Sequence, residues 1–191
     1  MMVSNPNVCI FYEPLDLPAQ DERLFLDAMD RLPTLLRKQP ASLDVAGARL
    51  PHNLREDVLG KLNDSSGLSE CTGAIHHLFH TRLSLRGRLV VGCPPDHTLA
   101  EMAKQDNPAA LWGAAITGFI ALTYCPGNQH IVWHEALHTI GAMDCYALPD
   151  CGPTCEQHNC LMQYAPNNDT VGGWPWLCRR NIDLLRTHVG T

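Results

Sequence analysis

A chain of 191 residues, 45% hydrophobic and 18% charged, has the composition of an ordinary globular protein and the length to bury a sizeable core in one domain. A net charge of -6 leaves no basic footprint, which excludes nucleic acid as the expected partner. The opening residues carry neither a positively charged start nor an apolar core of signal-peptide length, so the reading is a cytoplasmic protein, with a monomer as the default.

In chain order, residues 8–14 hold Val8, Cys9, Ile10, Phe11 and Tyr12 and predict a first strand ended by Pro14. Residues 21–36 place Leu24, Leu26, Met29, Leu32, Leu35 and Leu36 at helical spacing, with Pro33 expected to limit or kink the helix. A second helix is predicted from about Asn53 to the turn-rich run at 63–67, and a short one over 74–83. Residues 88–93 read as a strand stopped by Pro94 and Pro95, and 97–104 as a helical turn. The uncharged stretch 107–129 is interrupted by Gly113, Thr117, Gly118 and Thr123 and runs straight into a helix bearing Glu135. That excludes a membrane span and fits two short buried strands, 110–116 and 119–125. A helix over about 129–140 follows. Residues 142–175 show no periodic segment and need cross-links or metal for order, and 175–189 read as a terminal helix.

The helix after Asn128 carries the chemistry. His134 and His138 stand one turn apart on the same face, so both imidazoles reach a single metal ion. Glu135 is rotated off that face, where it serves better as a general base than as a ligand. Gly141 lets the helix stop in a left-handed turn, and Asp144 then arrives as third ligand, leaving the fourth zinc position open as catalytic sites require. His130, one turn before His134, is the rival third ligand, but three histidines in line on a straight helix cannot all converge on one ion.

Nine cysteines stand at 9, 71, 93, 125, 145, 151, 155, 160 and 178, the last five clustered after that helix. In a reducing compartment such a cluster points to metal, and in an exported protein to disulfides; unlinked buried thiols are the third reading. Cys9, Cys71, Cys93 and Cys125 read as small buried hydrophobes. His76, His77 and His80 lack acidic or cysteine partners nearby and read as structural or surface residues.

With these residues in place, the chain resembles the metzincin metalloproteases over about residues 88–191. The third-ligand position of that family's long motif falls on Asp144, and its methionine turn resembles Cys160-Leu161-Met162-Gln163-Tyr164. The archaemetzincin branch is the nearest in pattern. It has a cysteine directly after the third ligand, matched by Cys145, and another two before the turn methionine, matched by Cys160. Leu111-Trp112-Gly113-Ala114-Ala115 is similar to that branch as well. The resemblance implies an α+β metzincin-like fold with a short twisted mixed sheet, backing helices, a zinc-binding helix and a small irregular C-terminal subdomain ending in a helix. Residues 1–141 would form the upper part and 142–191 the lower part of one domain. It implies a second, structural zinc on Cys145, Cys160 and Cys178, and places Tyr164 near the catalytic metal as a candidate hydrogen-bond donor to an oxyanion. Two departures stand out. The third ligand, usually histidine, is Asp144, as in the snapalysin-like group. The late Cys-x-x-Cys is Cys178-Arg179-Arg180-Asn181, so one structural ligand is missing; Cys155, Cys151 and His158 are the substitutes. The expected activity is zinc-dependent hydrolysis of peptide bonds in a peptide or protein substrate. A zinc-binding module that holds peptides without cleaving them, and a zinc amidase acting on a non-peptide amide, are the alternatives.

Overall fold

Val8–Pro14 (β1) is a run of branched, aromatic and thiol side chains buried from Val8 to Glu13, as a strand covered on both faces must be. A computed structural model describes residues 8–83, 86–116, 118–147, 160–163 and 176–189. In it β1 lies between Ala46–Arg49 (β2) and Arg86–Gly92 (β3), parallel to both, and β3 pairs in parallel with Ile120–Thr123 (β5). Gly113–Ile116 (β4) completes the order β2-β1-β3-β5-β4 as an antiparallel edge strand. The sheet is mixed and the class is α+β.

Helices cover both faces of this sheet. Val8, Ile10 and Tyr12 share a core with Ala19–Arg37 (α1) and Gln129–His138 (α5), whereas Cys9 and Phe11 pack with His52–Asp64 (α2), Leu68–Arg82 (α3) and Thr98–Asp106 (α4). The period-two alternation of β1 thus separates two apolar layers. Among the described residues no helix is long and apolar enough to cross a membrane.

Several boundaries differ from the sequence expectation. Pro33 does not limit α1, which continues to Arg37. Pro33 packs against Gly47 of β2, where a side chain would sit 3.2 Å from its ring. Burial of Phe25, Met29, Leu32, Leu35 and Leu36, at roughly 1.5–3 kcal/mol each, outweighs the cost of about 3 kcal/mol for an internal proline. Leu24, expected on the apolar stripe, is exposed. The strand β2 (Ala-Gly-Ala-Arg) has no strand signal of its own and forms only by pairing with β1. The strand expected over 110–116 begins at Gly113, because Ala110 turns back to donate to the Asn107 carbonyl. The helix expected over 74–83 starts earlier, at Leu68, where the Asp106 carboxylate accepts the Leu68 amide.

Two anchors place the zinc-helix candidate. Asn128 caps α5 by accepting the His130 and Ile131 amides, and the buried Trp133 donates its indole N–H to the Ala28 carbonyl at 2.7 Å, fastening α5 to α1. The chain then turns at Gly141 (φ +99°), with the Ala142 amide donating back to Leu137, and passes through a single 3-10 turn, Cys145–Ala147. Arg179–Val189 (α6) packs into the α1/α5 core through Ile182, Leu185 and Val189, and Gln39 of the α1 end accepts the Leu177 amide. The terminal helix expected from 175 begins only at Arg179.

Candidate metal centre

The Nδ1 atom of His134 lies 2.9 Å from the Leu161 carbonyl, and that of His138 lies 2.9 Å from the Ala142 carbonyl. A carbonyl only accepts, so each Nδ1 carries the hydrogen and each Nε2 is left as a lone pair. Those two Nε2 atoms are 3.3 Å apart. Asp144 Oδ1 stands 3.1 Å from His134 Nε2 and 3.4 Å from His138 Nε2, and it is buried without a conventional hydrogen-bond partner. Three acceptor atoms therefore face one another across a small triangle, an arrangement that only a cation or a proton can stabilise. Zinc bonds of about 2.0–2.1 Å in a tetrahedron imply ligand–ligand edges of roughly 3.3–3.4 Å. The donor set and the observed edges fit that ion.

Electrostatics follow the same geometry. Burial opposes ionisation of Asp144, but the closeness of the two imidazoles and of Tyr146 outweighs it and holds the carboxyl well below the usual range. Burial disfavours the charged form of His138, yet the Asp144 hydrogen bond and the nearby Glu135 and Asp144 charges raise its proton affinity.

Glu135 is buried, and desolvation pushes its carboxyl pKa up against the lowering influence of the two histidines. Its carboxylate lies flat against Gly113 of the edge strand: a Cβ there would be 2.3 Å from Glu135 Cδ. Gly113 is therefore the position that lets the edge strand and the acid share one wall of the cleft. That cleft, of about 240 Å³, is lined among others by Trp112, His134, Glu135, His138, Asp144 and Tyr146.

His130 also lines the cleft, with a buried Nε2 that finds no hydrogen-bond partner, but it is not in the convergent triad; His134, His138 and Asp144 are. Tyr164 lies outside the described residues, as do Cys151, Cys155 and His158. Tyr146 was not singled out from sequence. It sits two residues beyond Asp144, hydrogen-bonds that carboxylate and exposes 62% of its surface at the cleft. Its spacing from the third ligand was the available signal.

Met162 is fully buried in the turn 160–163, which touches the site from beneath: Leu161 orients His134, and the Met162 carbonyl accepts the Cys145 amide at 2.8 Å. Cys145, Cys160 and Cys178 are buried, with sulfurs all within 4.8 Å of one another. The Cys145–Cys178 separation is 3.8 Å. A disulfide requires about 2.05 Å, whereas tetrahedral zinc thiolates at about 2.3 Å imply edges of roughly 3.8 Å. No disulfide joins the described cysteines. Asn181, where the metzincin resemblance leads one to expect a cysteine, donates its side-chain amide to Cys145 and Cys178 at 3.5 and 3.6 Å. Cys9, Cys71 and Cys93 are buried, as expected, while Cys125 is only partly so. His76, His77 and His80 lie on the exposed side of α3.

Neither a scan against protein-family models nor a search of curated proteins finds a match for this chain. The site's chemistry is accordingly argued from its own residues.

Proposed function

We propose that this chain is a zinc-dependent metallopeptidase of metzincin-like fold, nearest in pattern to the archaemetzincins. The observation that carries the reading is the triangle of His134 Nε2, His138 Nε2 and Asp144 Oδ1, with both Nδ1 atoms committed to carbonyls and Glu135 on the adjoining cleft wall. The mixed sheet with its antiparallel edge strand beside α5 supports the finer fold assignment.

His134, His138 and Asp144 would hold the metal. Zinc in such a site lowers the pKa of its water and polarises a carbonyl. Glu135 accepts the proton at its carboxylate and delivers it to the leaving amine, a role favoured by a proton affinity raised through burial. The outer edge of β4, which no other described strand pairs, offers backbone groups to an extended peptide. Gly113 keeps that edge against Glu135, so a peptide paired there brings its backbone beside the base. The Tyr146 hydroxyl restrains Asp144 from the cleft side. A second zinc on Cys145, Cys160 and Cys178 would serve structure.

Elemental analysis combined with a quenched-fluorescence peptide library tests the reading. Wild type should carry zinc and cleave, and Glu135→Gln should keep its zinc while losing about 10²–10⁴-fold in rate. A zinc-loaded wild type that cleaves no peptide would instead favour a binding module or an amidase, and a chain that binds no zinc would end the proposal.

A further inference from the structure

Asn181 is wholly buried, and its side-chain amide makes a reciprocal pair with one backbone unit: the Met143 N–H donates to Asn181 Oδ1 at 2.8 Å, and Asn181 Nδ2 donates to the Met143 carbonyl at 2.9 Å. That pairing fixes the amide's orientation, since a reversed amide would set donor against donor and acceptor against acceptor. It also aims the same Nδ2 at the sulfurs of Cys145 and Cys178, and the Asn181 backbone N–H reaches the Cys178 sulfur at 3.5 Å. Met143 and Cys145 are the two chain neighbours of Asp144. One is gripped on both backbone polar groups by Asn181. The other is itself a member of the thiol cluster, with its amide held by the Met162 carbonyl. Consecutive Cα atoms are a fixed distance of about 3.8 Å apart, so whatever moves the cluster moves the backbone that carries the third metal ligand.

We propose that Asn181 is a positioning residue that couples the two sites: a thiophilic cation on Cys145, Cys160 and Cys178 strengthens metal binding by His134, His138 and Asp144, and the reverse. The inference rests on the reading of those three residues as a metal site. The physical source is twofold. A filled cluster fixes the sulfurs and hence the amide that grips Met143, so Asp144 no longer loses freedom when it binds metal. The amide N–H groups also offset negative charge on the thiolates, which a fourth thiolate at this position would increase instead. By linkage the gain in affinity is the same whichever site is filled first.

The test uses the full chain stripped of metal, with Cd²⁺ to fill the thiol cluster, read by thiolate charge-transfer absorption, and Zn²⁺ competed against a chromophoric chelator for the other site. Cadmium-loaded wild type should bind zinc roughly ten- to hundred-fold more tightly than Cys178→Ser, the usual range for losing a partner that orients a ligand. Cadmium-loaded Asn181→Ala should keep the charge-transfer band yet show the weak zinc affinity. If Asn181→Ala does not fold, the reciprocal measurement on wild type decides: cadmium affinity should rise by the same factor when zinc is present, and should not rise in Asp144→Ala. Zinc binding that is equally tight in wild type, Cys178→Ser and Asn181→Ala, or cadmium affinity indifferent to zinc, overturns the coupling while leaving the metallopeptidase reading intact. A wild type that takes cadmium but never zinc at the histidines overturns both.

Discussion

Substituting Gly113 with alanine separates stability from chemistry. The new Cβ would stand 2.3 Å from Glu135 Cδ and 2.5 Å from its Oε1. Carbon atoms in ordinary contact are about 3.5–4.0 Å apart, so the carboxylate has to retreat by more than roughly 1 Å. The obstructing atoms, Cγ, Cδ and Oε1, all belong to the one Glu135 side chain, and its retreat by a shifted torsion costs about 0.5–1.5 kcal/mol in folding. For a chain of this size that moves the melting temperature by at most about 6 °C. A displacement of about 1 Å in a catalytic group, by contrast, costs on the order of 10²-fold in rate, or about 2.7 kcal/mol of barrier. Peptidase kcat/KM, zinc content and melting temperature, measured together, should therefore show a large loss, no change and a small change respectively. The cycle with Glu135→Gln sharpens the test: if the alanine acts by moving the base, adding it to Glu135→Gln should cost nothing further. Gly113→Ala with full activity, or a double variant much worse than Glu135→Gln alone, would refute the placement of Glu135 as the base.

Tyr146→Phe removes a hydrogen bond to Asp144 and should weaken zinc binding by about ten-fold in chelator competition. Gly141→Ala meets two obstacles, a backbone at φ +99° and the His188 ring, 2.4 Å from the added Cβ. The backbone alone costs about 1–2 kcal/mol, so the melting temperature should fall, and His188→Ala should recover only the steric part. Burial pushes the Cys9 thiol up to about 11 and the Cys93 thiol up to about 12. Native iodoacetamide labelling at pH 8 should therefore spare both, as peptide mass mapping reads, and modification of either before unfolding would contradict their placement in the core.

Much of the scaffold was legible because its signals are local. The branched and aromatic run of β1 and the apolar spacing of α1 each announce their element within a few residues. What was not legible depends on distant partners. The strand β2 is Ala-Gly-Ala-Arg and exists because β1 offers it a ladder, and Pro33 survives inside α1 because Gly47 leaves it room. Likewise His134, His138 and Asp144 could be read from a four-residue spacing and a glycine turn. The groups that orient them could not: the Leu161 carbonyl is 27 positions from His134, and Asn181 is 38 from Met143. The candidate ligands are written in the motif, and their orientation in the tertiary structure.

If the chain is a metallopeptidase as proposed, its two departures from the metzincin pattern belong to one physical problem. A carboxylate in the third position gives a cation more negative charge than an imidazole would, which weakens its pull on water and on a substrate carbonyl. It is also a shorter side chain, with less reach from the backbone to the ion. Tyr146 answers the first difficulty, because a hydrogen bond to the Asp144 carboxylate withdraws part of that charge. Asn181 answers the second, because it holds the Met143 backbone on both its polar groups and so fixes where a short side chain begins. A cysteine at 181 would add a thiolate but surrender that grip. On the proposed reading, the loss of one sulfur and the use of aspartate are consistent with each other: Asn181, where the pattern has a cysteine, steadies the backbone of the aspartate that stands where it has a histidine.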